Sequence, residues 1–241
     1  MVKVEVAQGS PEWLRARMGR PTASEFHRII TRVKMERSAS ARPYAIHLLT
    51  ELILDTPLAS GSSAAMTHGH DWEPKAIRAY EMLRGVDVEP CGFVLSDDGA
   101  VGASPDSLVE EDGTLEVKAP QKPENHVGYL VDPETLINEY WIQVQGQLLV
   151  TGRKWTDLIS YFPGLPMQCV RITPNETFQA ALARELKVFV KDLGTLIQLA
   201  RDSGWLQLRI ATEPVDVTRD WITEEDVQAT LERNRQRDAT L

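Results

Sequence analysis

The sequence lacks the features that mark secreted, membrane-spanning or cysteine-dependent proteins. It has two cysteines among 241 residues, which excludes a four-cysteine zinc or iron–sulfur site and makes a disulfide unexpected. It contains no run of about 18 apolar residues, and its opening MVKVEVAQGS has no apolar signal-peptide core. These absences predict a cytoplasmic protein with no membrane span. The length favours a single α/β domain over two small ones.

Positive charge is also scarce overall. The chain has 26 lysines and arginines against 35 acidic residues, for a net charge of −9, which argues against a protein that coats nucleic acid. A nuclease is not excluded, because its metal site is itself built of carboxylates. Residues 11–42 stand apart, with eight lysines and arginines against three glutamates. On charge alone this segment is interpreted as a solvated helical face, with DNA contact as the alternative.

Apolar periodicity predicts a mixed sheet with flanking helices in one α/β domain. Helices are expected at residues 9–19, 21–31, 42–54, 71–84, 134–150 and 174–199. Strand-like runs occur at 86–96, 100–110, 114–120, 155–162 and 167–172. A single domain is predicted to span 1–205, and 206–241 is interpreted as a polar, partly helical C-terminal extension.

Local signals set several of these boundaries. Ser10 is expected to cap the first helix, and Thr22 with Glu25 has the spacing of a capping box for the second. Gly85 is expected to end the helix that begins near Asp71. The small polar segment 58–66 is interpreted as a flexible connection. Asp-Gly pairs at 98–99 and 112–113 predict tight turns between strands.

The stretch ASPDSLVEEDGTLEVKAP, residues 103–120, contains two carboxylates and an ammonium in suggestive order. Side chains alternate along a strand, so Glu116 and Lys118 share one face while Val117 points into the core. A turn at 112–113 brings Asp106 level with Glu116. Carboxylate oxygens suit Mg²⁺, and a neighbouring lysine can orient or deprotonate an attacking water. Spacing alone leaves a hairpin with exposed charges as an equal alternative.

Four blocks of residues in order resemble the phage lambda exonuclease family of YqaJ-type viral recombination nucleases. The blocks are EWLRARMGRPTASE (12–25), HGHDWEP (68–74), GASPDSLVEEDGTLEVKAP (102–120) and YWIQVQGQLLVTG (140–152). The resemblance implies the fold of type II restriction endonucleases. No motif of the family matches the chain beyond about residue 205. The RecB-type glutamine–tyrosine helix motif is incomplete here, because Gln147 stands where that motif has tyrosine.

The resemblance also implies roles for individual residues. Asp106, Glu116 and the Val117 carbonyl are implied as metal ligands, with Lys118 acting on the attacking water and Glu73 as an outer carboxylate. The residues implied to bind a terminal 5′-phosphate are Arg17, Ser24, Ser104 and Gln143. Met66 is implied to be an apolar wedge that separates the terminal base pair.

Three of these assignments have alternatives. Glu73, just before Pro74, is alternatively a charge at the N-terminus of a helix. Ser24 is alternatively only a first-turn helix residue. Gln143 and Gln145 are both candidates for the phosphate contact, although residues two apart do not share a helix face.

The function implied by the resemblance is a Mg²⁺-dependent 5′-to-3′ exonuclease that degrades one strand of linear duplex DNA and leaves a 3′ overhang for recombination. The family implies two Mg²⁺ ions, with Mn²⁺ able to substitute. Its partners would be double-stranded DNA ends, two further copies in a ring-shaped homotrimer and a single-strand annealing protein. Arg28, Arg32, Lys34 and Arg37 would then line a basic DNA entry. A restriction-type endonuclease and an inactive DNA-binding module are the alternatives.

Overall fold

The computed structural model describes residues 1–58 and 64–206, apart from the side chains of residues 64–71. Within these residues the strands are β1 Val2–Val4, β2 Val88–Pro90, β3 Phe93–Leu95, β4 Gly102–Ala103, β5 Ser107–Val109, β6 Gly113–Lys118, β7 Trp155–Ser160 and β8 Gln168–Ile172. The α-helices are α1 Pro11–Arg17, α2 Ala41–Leu54, α3 Ala64–Arg84, α4 Pro123–Val131, α5 Pro133–Thr151 and α6 Glu176–Asp202, and Ala23–Arg28 forms a 3₁₀ helix.

A five-stranded mixed sheet forms the centre of the fold, with strand order β2-β5-β6-β7-β8. The only parallel pair in it is β6 with β7, where Glu116 lies opposite Leu158 and Lys118 opposite Ser160. This parallel pairing requires a crossover, which α4 and α5 supply. The other three pairs are antiparallel.

The sheet is covered by a helix layer on each face. Alternation along β7 sends Ile159 to the face that packs on Ala76 and Tyr80 of α3. Its neighbour Leu158 faces the other way, against Val144 and other apolar residues of α5. Glu116 lies on strand β6 beside Leu158, so its side chain points toward α5, and this orientation places it in the site described below.

A second, smaller sheet has the order β1-β3-β4. It shares the largest apolar core with the 3₁₀ helix, α2 and α6, where Phe26, Leu48, Val94 and Phe189 are buried. The strands predicted between residues 86 and 120 are thus divided between two sheets rather than forming one meander. The reason is that β3 pairs with β1 near the N-terminus, a non-local contact that the sequence pattern does not show.

Most predicted helices are confirmed, with several corrections. The helix expected from Asp71 begins seven residues earlier, at Ala64, and continues through Pro74, so Glu73 is not an N-terminal helix charge. The segment interpreted as the connection 58–66 therefore ends in helix, while its residues 59–63 lie outside the described chain. Helix α4 was not predicted, because it has only nine residues and begins at Pro123, shortly after Pro120, in a segment that reads as a loop.

The second predicted helix differs in type and in its cap. It is a 3₁₀ helix, and the Thr22 side chain makes no capping hydrogen bond. Instead, Thr22 Oγ1 accepts a hydrogen bond from Arg17 Nη2 at 3.1 Å. The capping-box prediction is wrong because a guanidinium from α1 engages the hydroxyl.

No helix in the part of the chain that the structure describes is long and apolar enough to cross a membrane. The predicted extension 206–241 falls outside the described residues but for its first, so the boundary at residue 205 stays a prediction.

Gly146 provides a test of how closely α5 approaches the 3₁₀ helix. A Cβ added there would lie 2.5 Å from Phe26 Cδ2 and 3.3 Å from Ala23 Cβ. We expect Gly146→Ala to destabilise the fold by about 1–3 kcal/mol through overpacking, measured by urea unfolding. The matched control is Gly128→Ala in α4, where nothing lies within 4 Å, and which should stabilise the helix by up to about 1 kcal/mol. Equal effects of both substitutions would contradict the close contact.

Candidate active site

The β5–β6 hairpin brings the acidic residues of the predicted centre together. The backbone N–H of Asp106 donates to Leu115 O at 3.1 Å, and Val117 N–H donates to Asp106 Oδ2 at 2.6 Å. Lys118 Nζ donates to Glu116 Oε1 at 2.7 Å, which confirms that these two side chains share a face. Val117 packs into the apolar core on the opposite face, as alternation requires.

Helix α5 supplies two further side chains to the same carboxylate. Gln143 Nε2 donates to Glu116 Oε1 at 2.5 Å, and Gln147 Nε2 donates to Glu116 Oε2 at 2.6 Å. Residues four apart lie on one helix face, so Gln147 could have been found from its spacing to Gln143. Gln145 points elsewhere and contacts Thr173 O and Asn175 N. Of the two alternatives, only Gln143 lies at the site.

Arg17 of α1 is the centre of a second cluster of donors. Its Nη1 lies 3.3 Å from Ser104 Oγ, and its Nη2 lies 3.2 Å from Ser24 Oγ and 3.1 Å from Thr22 Oγ1. The guanidinium stacks on Trp13, 4.2 Å from the ring centroid. Trp13 Nε1 also donates to Ser104 Oγ at 3.0 Å. Trp13 and Thr22 were not among the predicted site residues.

Gln8 fixes the turn that leads into Asp106. Its Nε2 donates to Pro105 O at 2.9 Å and to Cys91 O at 3.0 Å. One amide therefore bridges the two loops, β2–β3 and β4–β5, that connect the central sheet to the small sheet. Gln8 was also not predicted, because a single glutamine in an N-terminal segment carries no distinguishing pattern.

Nine of these residues face one cavity of about 130 Å³. Its lining consists of Gln8, Trp13, Arg17, Ser24, Ser104, Asp106, Glu116, Gln143 and Gln147. Pockets for drug-sized ligands occupy about 300–1,000 Å³, so this cavity suits a single small polar group. The four residues predicted to bind phosphate and two of the predicted metal ligands thus share one lining.

Close packing perturbs the charges at this site. Burial raises the pKa of Asp106 well above its usual range, and the negative charges of Glu116 and Glu73 add to the effect. For Lys118, burial alone lowers the pKa, but the charges of Glu116 and Asp106 outweigh it and the net shift is upward. Lys118 is thus held as an ammonium in the metal-free protein. Burial lowers the pKa of Arg17, although a guanidinium stays protonated in proteins.

The donor set fits Mg²⁺ better than zinc. Among the described residues there is no group of three or more His, Cys, Asp or Glu side chains arranged to hold a metal. Mg²⁺ is commonly held by one or two carboxylates, with waters and substrate phosphates completing its shell. Asp106 and Glu116 supply two carboxylates, and the adjoining donors suit a phosphate. The residues present therefore fit a Mg²⁺ ion that is completed by water and substrate.

The remaining predicted residues lie apart from the cavity or outside the described side chains. Glu73 acts on Asp106 through its charge, while the side chain of Met66 is among those not described. The predicted basic entry is largely paired within the protein. Arg28 contacts Glu25 and Tyr44, and Arg32 contacts Asn138 and Trp141. Arg37 contacts Asp192, and Lys34 is exposed.

Comparison with known proteins identifies the family. The model of the YqaJ-like viral recombinase domain matches residues 12–154. The chain belongs to this family. The resemblance seen in the four sequence blocks is confirmed, and so is the restriction-endonuclease-like α/β fold. No curated protein matches the chain.

Two of the proteins whose solved structures are similar to this chain are described as exonucleases. An alkaline exonuclease (LHK-Exo) from Laribacter hongkongensis is 30% identical with a TM-score of 0.72, over 81% of this chain and 98% of that one. LHK-Exo in complex with dAMP gives 31% identity and a TM-score of 0.71, over 82% and 100%. A phage-related exonuclease from Haemophilus somnus 129PT shares the fold at 13% identity, with a TM-score of 0.64 over 74% and 95%.

The raised pKa of Asp106 predicts how stability varies with pH. An acid whose pKa is raised by folding binds more protons in the folded state than in the unfolded state. Its contribution to stability therefore falls as the pH rises from the pKa of the unfolded state to that of the folded state. In EDTA at pH 8, Asp106→Asn should therefore raise the Tm. The increase should be roughly 2–4 °C for each kcal/mol of electrostatic destabilisation that the substitution removes. Near pH 4 the gain should shrink, because protonated Asp106 already carries no charge.

Asp157→Asn is the matched control for this measurement. Asp157 is buried, and burial raises its pKa, but hydrogen bonds from Arg171 and Tyr80 outweigh burial and lower the pKa overall. Asp157→Asn should therefore destabilise the protein at pH 8, opposite in sign to Asp106→Asn. A fall in Tm for Asp106→Asn at pH 8 would contradict the repulsion among the site carboxylates.

Proposed function

We propose that the protein is a Mg²⁺-dependent exonuclease that degrades one strand of linear duplex DNA from its 5′ end and leaves a 3′ single-stranded overhang for recombination. Family membership and the exonuclease relatives support the coarser role of a DNA exonuclease. The finer proposal depends chiefly on one observation. A single cavity joins the Arg17 donor cluster to Asp106 and Glu116.

The donor cluster supports recognition of a terminal phosphate. A terminal monoester carries more free oxygens than an internal diester, and Arg17, Ser24, Ser104 and Gln143 offer donors for them. The cavity is too small for a nucleoside, so a phosphate would enter with its sugar outside. One relative was solved with dAMP, a nucleoside monophosphate, which agrees with a site that accepts a phosphate group.

Different side chains of the site are assigned different roles in the proposed reaction. Asp106 and Glu116 would hold the cation beside the phosphate, with the Val117 carbonyl as a further oxygen ligand. Mg²⁺, when bound, supplies Lewis-acid stabilisation of the reacting phosphate and a more acidic water. Lys118, held as an ammonium by Glu116, orients the attacking water and offsets charge at the phosphate. Glu73 adds negative charge near Asp106, as an outer carboxylate for a second ion would. Mn²⁺ is expected to substitute for Mg²⁺.

The raised pKa of Asp106 leads to an expected pH dependence that is consistent with the description of one relative. Because the pKa of Asp106 is raised in the metal-free site, cation binding competes with a proton at lower pH. Cation affinity, and hence activity, should therefore rise as the pH increases. The Laribacter relative is described as an alkaline exonuclease.

The proposal extends to partners and to a DNA path. Double-stranded DNA ends are the proposed substrate, and a ring-shaped homotrimer and a single-strand annealing protein are proposed from the family resemblance. Arg28, Arg32, Lys34 and Arg37 are proposed to face the duplex. Of these, Lys34 and Arg37 are exposed. Arg28, Arg32 and Arg37 must keep or exchange their internal contacts when DNA binds.

Two other functions can be separated from this one. A restriction-type endonuclease would share Asp106, Glu116 and Lys118, but it would cut closed circular DNA, which an exonuclease that needs an end leaves intact. An inactive DNA-binding module is disfavoured because Asp106 and Glu116 line the same cavity and Lys118 Nζ donates to Glu116 Oε1 at 2.7 Å.

Lys118→Ala tests the chemical step. We expect the rate of digestion of linear duplex in Mg²⁺ to fall by a factor on the order of 10²–10⁴, because the ammonium beside the attacking water is lost. The control is Lys122→Ala, an exposed lysine four residues later, which should digest DNA at the wild-type rate. Wild-type reactions in EDTA should show no digestion. Equal digestion by Lys118→Ala and wild type would refute the mechanism.

Arg17→Ala tests recognition of the 5′-phosphate. Hydrogen bonds to charged groups contribute about 1.5–3 kcal/mol, so kcat/KM on 5′-phosphate ends should fall roughly 10- to 150-fold. The value on 5′-hydroxyl ends should change little, so the preference between the two ends disappears. Arg15→Ala on the same helix is the control, since its side chain is 70% exposed and its ion-pair partner among the described residues is Asp55 at 3.7 Å. A preserved preference in Arg17→Ala would rule out the phosphate role.

A further inference from the structure

Gln147 holds the side of Glu116 that faces away from Lys118. Glu116 is 2% exposed and Gln147 is 1% exposed, so neither group can rely on bulk water. Oε1 of Glu116 accepts from Lys118 and Gln143. Oε2 accepts from Gln147 Nε2 at 2.6 Å. Within the described chain, Gln147 is the only side chain that donates to this second oxygen.

The other end of the Gln147 amide has no partner. Oε1 of Gln147 is buried and accepts no hydrogen bond from the described residues. Rotating the amide by 180° would not repair this, because two acceptor oxygens would then face each other at Glu116. A buried acceptor without a donor is unfavourable, and methionine would fill the same space without it. The unpaired oxygen therefore calls for a donor that no described residue supplies.

The position of Gln147 indicates which donor that is. Gln147 lines the cavity that contains Asp106, Glu116 and Gln143. Mg²⁺ keeps several of its waters when carboxylates bind it, and waters on a cation are strong hydrogen-bond donors. A carboxylate–amide pair with one free carbonyl oxygen matches such a hydrated ion.

We infer that Gln147 is a positioning residue that sets the direction of the Glu116 carboxylate and accepts a hydrogen bond from a water of the bound cation through its free Oε1. The inference rests on the proposed function, in which a divalent cation binds at Asp106 and Glu116. Groups that orient metal ligands in this way typically change metal affinity 10- to 100-fold. Gln147 thus acts through Glu116 and the cation, without contacting DNA.

Gln145 provides a matched control on the same helix. It is also fully buried, and its amide bonds to Thr173 O and Asn175 N away from the cavity. Gln145→Met and Gln147→Met each replace a buried amide of α5 by an apolar chain of similar size. Both lose buried hydrogen bonds, but only Gln147→Met alters the surroundings of Glu116.

The test is calorimetric titration of Mn²⁺ into the full-length, DNA-free protein, with the Tm of every variant measured first. We expect Gln147→Met to bind Mn²⁺ 10- to 100-fold more weakly than wild type, and Gln145→Met to bind within about twofold of wild type despite a lower Tm. In digestion assays, Gln147→Met should need a correspondingly higher Mg²⁺ concentration for half-maximal rate. Its KM for DNA ends at saturating Mg²⁺ should be unchanged, because Gln147 does not touch the phosphate cluster.

A second variant covers a folding failure. If Gln147→Met does not fold, Gln147→Asn keeps the amide but draws it back by one carbon, out of reach of Glu116, and should show the same loss of affinity. Equal Mn²⁺ affinity in the folded variant and wild type would overturn the inference, as would the absence of Mn²⁺ binding by wild type. The proposed function fails separately, if wild type binds Mn²⁺ but does not digest linear duplex DNA.

Discussion

The burial of Glu116 is the constraint on which the rest of the site depends. A carboxylate that is almost inaccessible to water must be met by charge or by hydrogen-bond donors, or ionisation becomes very unfavourable. Lys118 supplies the charge from the same strand, and Gln143 and Gln147 supply donors from the crossover helix α5. These hydrogen bonds require α5 to turn the face that carries Gln143 and Gln147 toward Glu116 on the sheet. It also explains why two glutamines one turn apart point into a core where apolar side chains would otherwise be expected.

The half of the cavity that is proposed to bind the phosphate is assembled by elements that are distant in sequence. Helix α1 contributes Arg17 and Trp13, the 3₁₀ helix contributes Ser24, and the loop before β5 contributes Ser104. The Trp13 indole stacks on the Arg17 guanidinium and restricts its movement, so the side chain would lose little further entropy on binding an anion. The missing Cβ of Gly146 lets α5 approach Phe26 and Ala23, which brings the amide donors of α5 close to Ser24.

Sequence patterns predicted the parts of the molecule that depend on local order. Strand alternation placed Glu116 and Lys118 on one face, and the Asp-Gly turn at 112–113 placed Asp106 beside them. The division of the strands into two sheets was missed because it depends on β1 pairing with β3 some ninety residues later. The Thr22 cap was mispredicted because Arg17 engages its hydroxyl, and Gln8, Trp13 and Gln147 were missed because their roles appear only when separate elements meet. Residue types and spacing predict the candidate centre, whereas the side chains that contact its residues from other elements can be identified only from the packed structure.

The contacts of Ser104 have a consequence for what the cavity can admit. A hydroxyl oxygen has two lone pairs and one proton. Trp13 Nε1 and Arg17 Nη1 both donate to Ser104 Oγ, and neither can act as an acceptor. Both lone pairs are thereby taken, so the only group Ser104 can still offer is its proton. Ser104 can therefore act only as a hydrogen-bond donor toward a ligand. A ligand with an acceptor oxygen can bind to it, whereas an ammonium group, or a water that offers only its hydrogens, cannot.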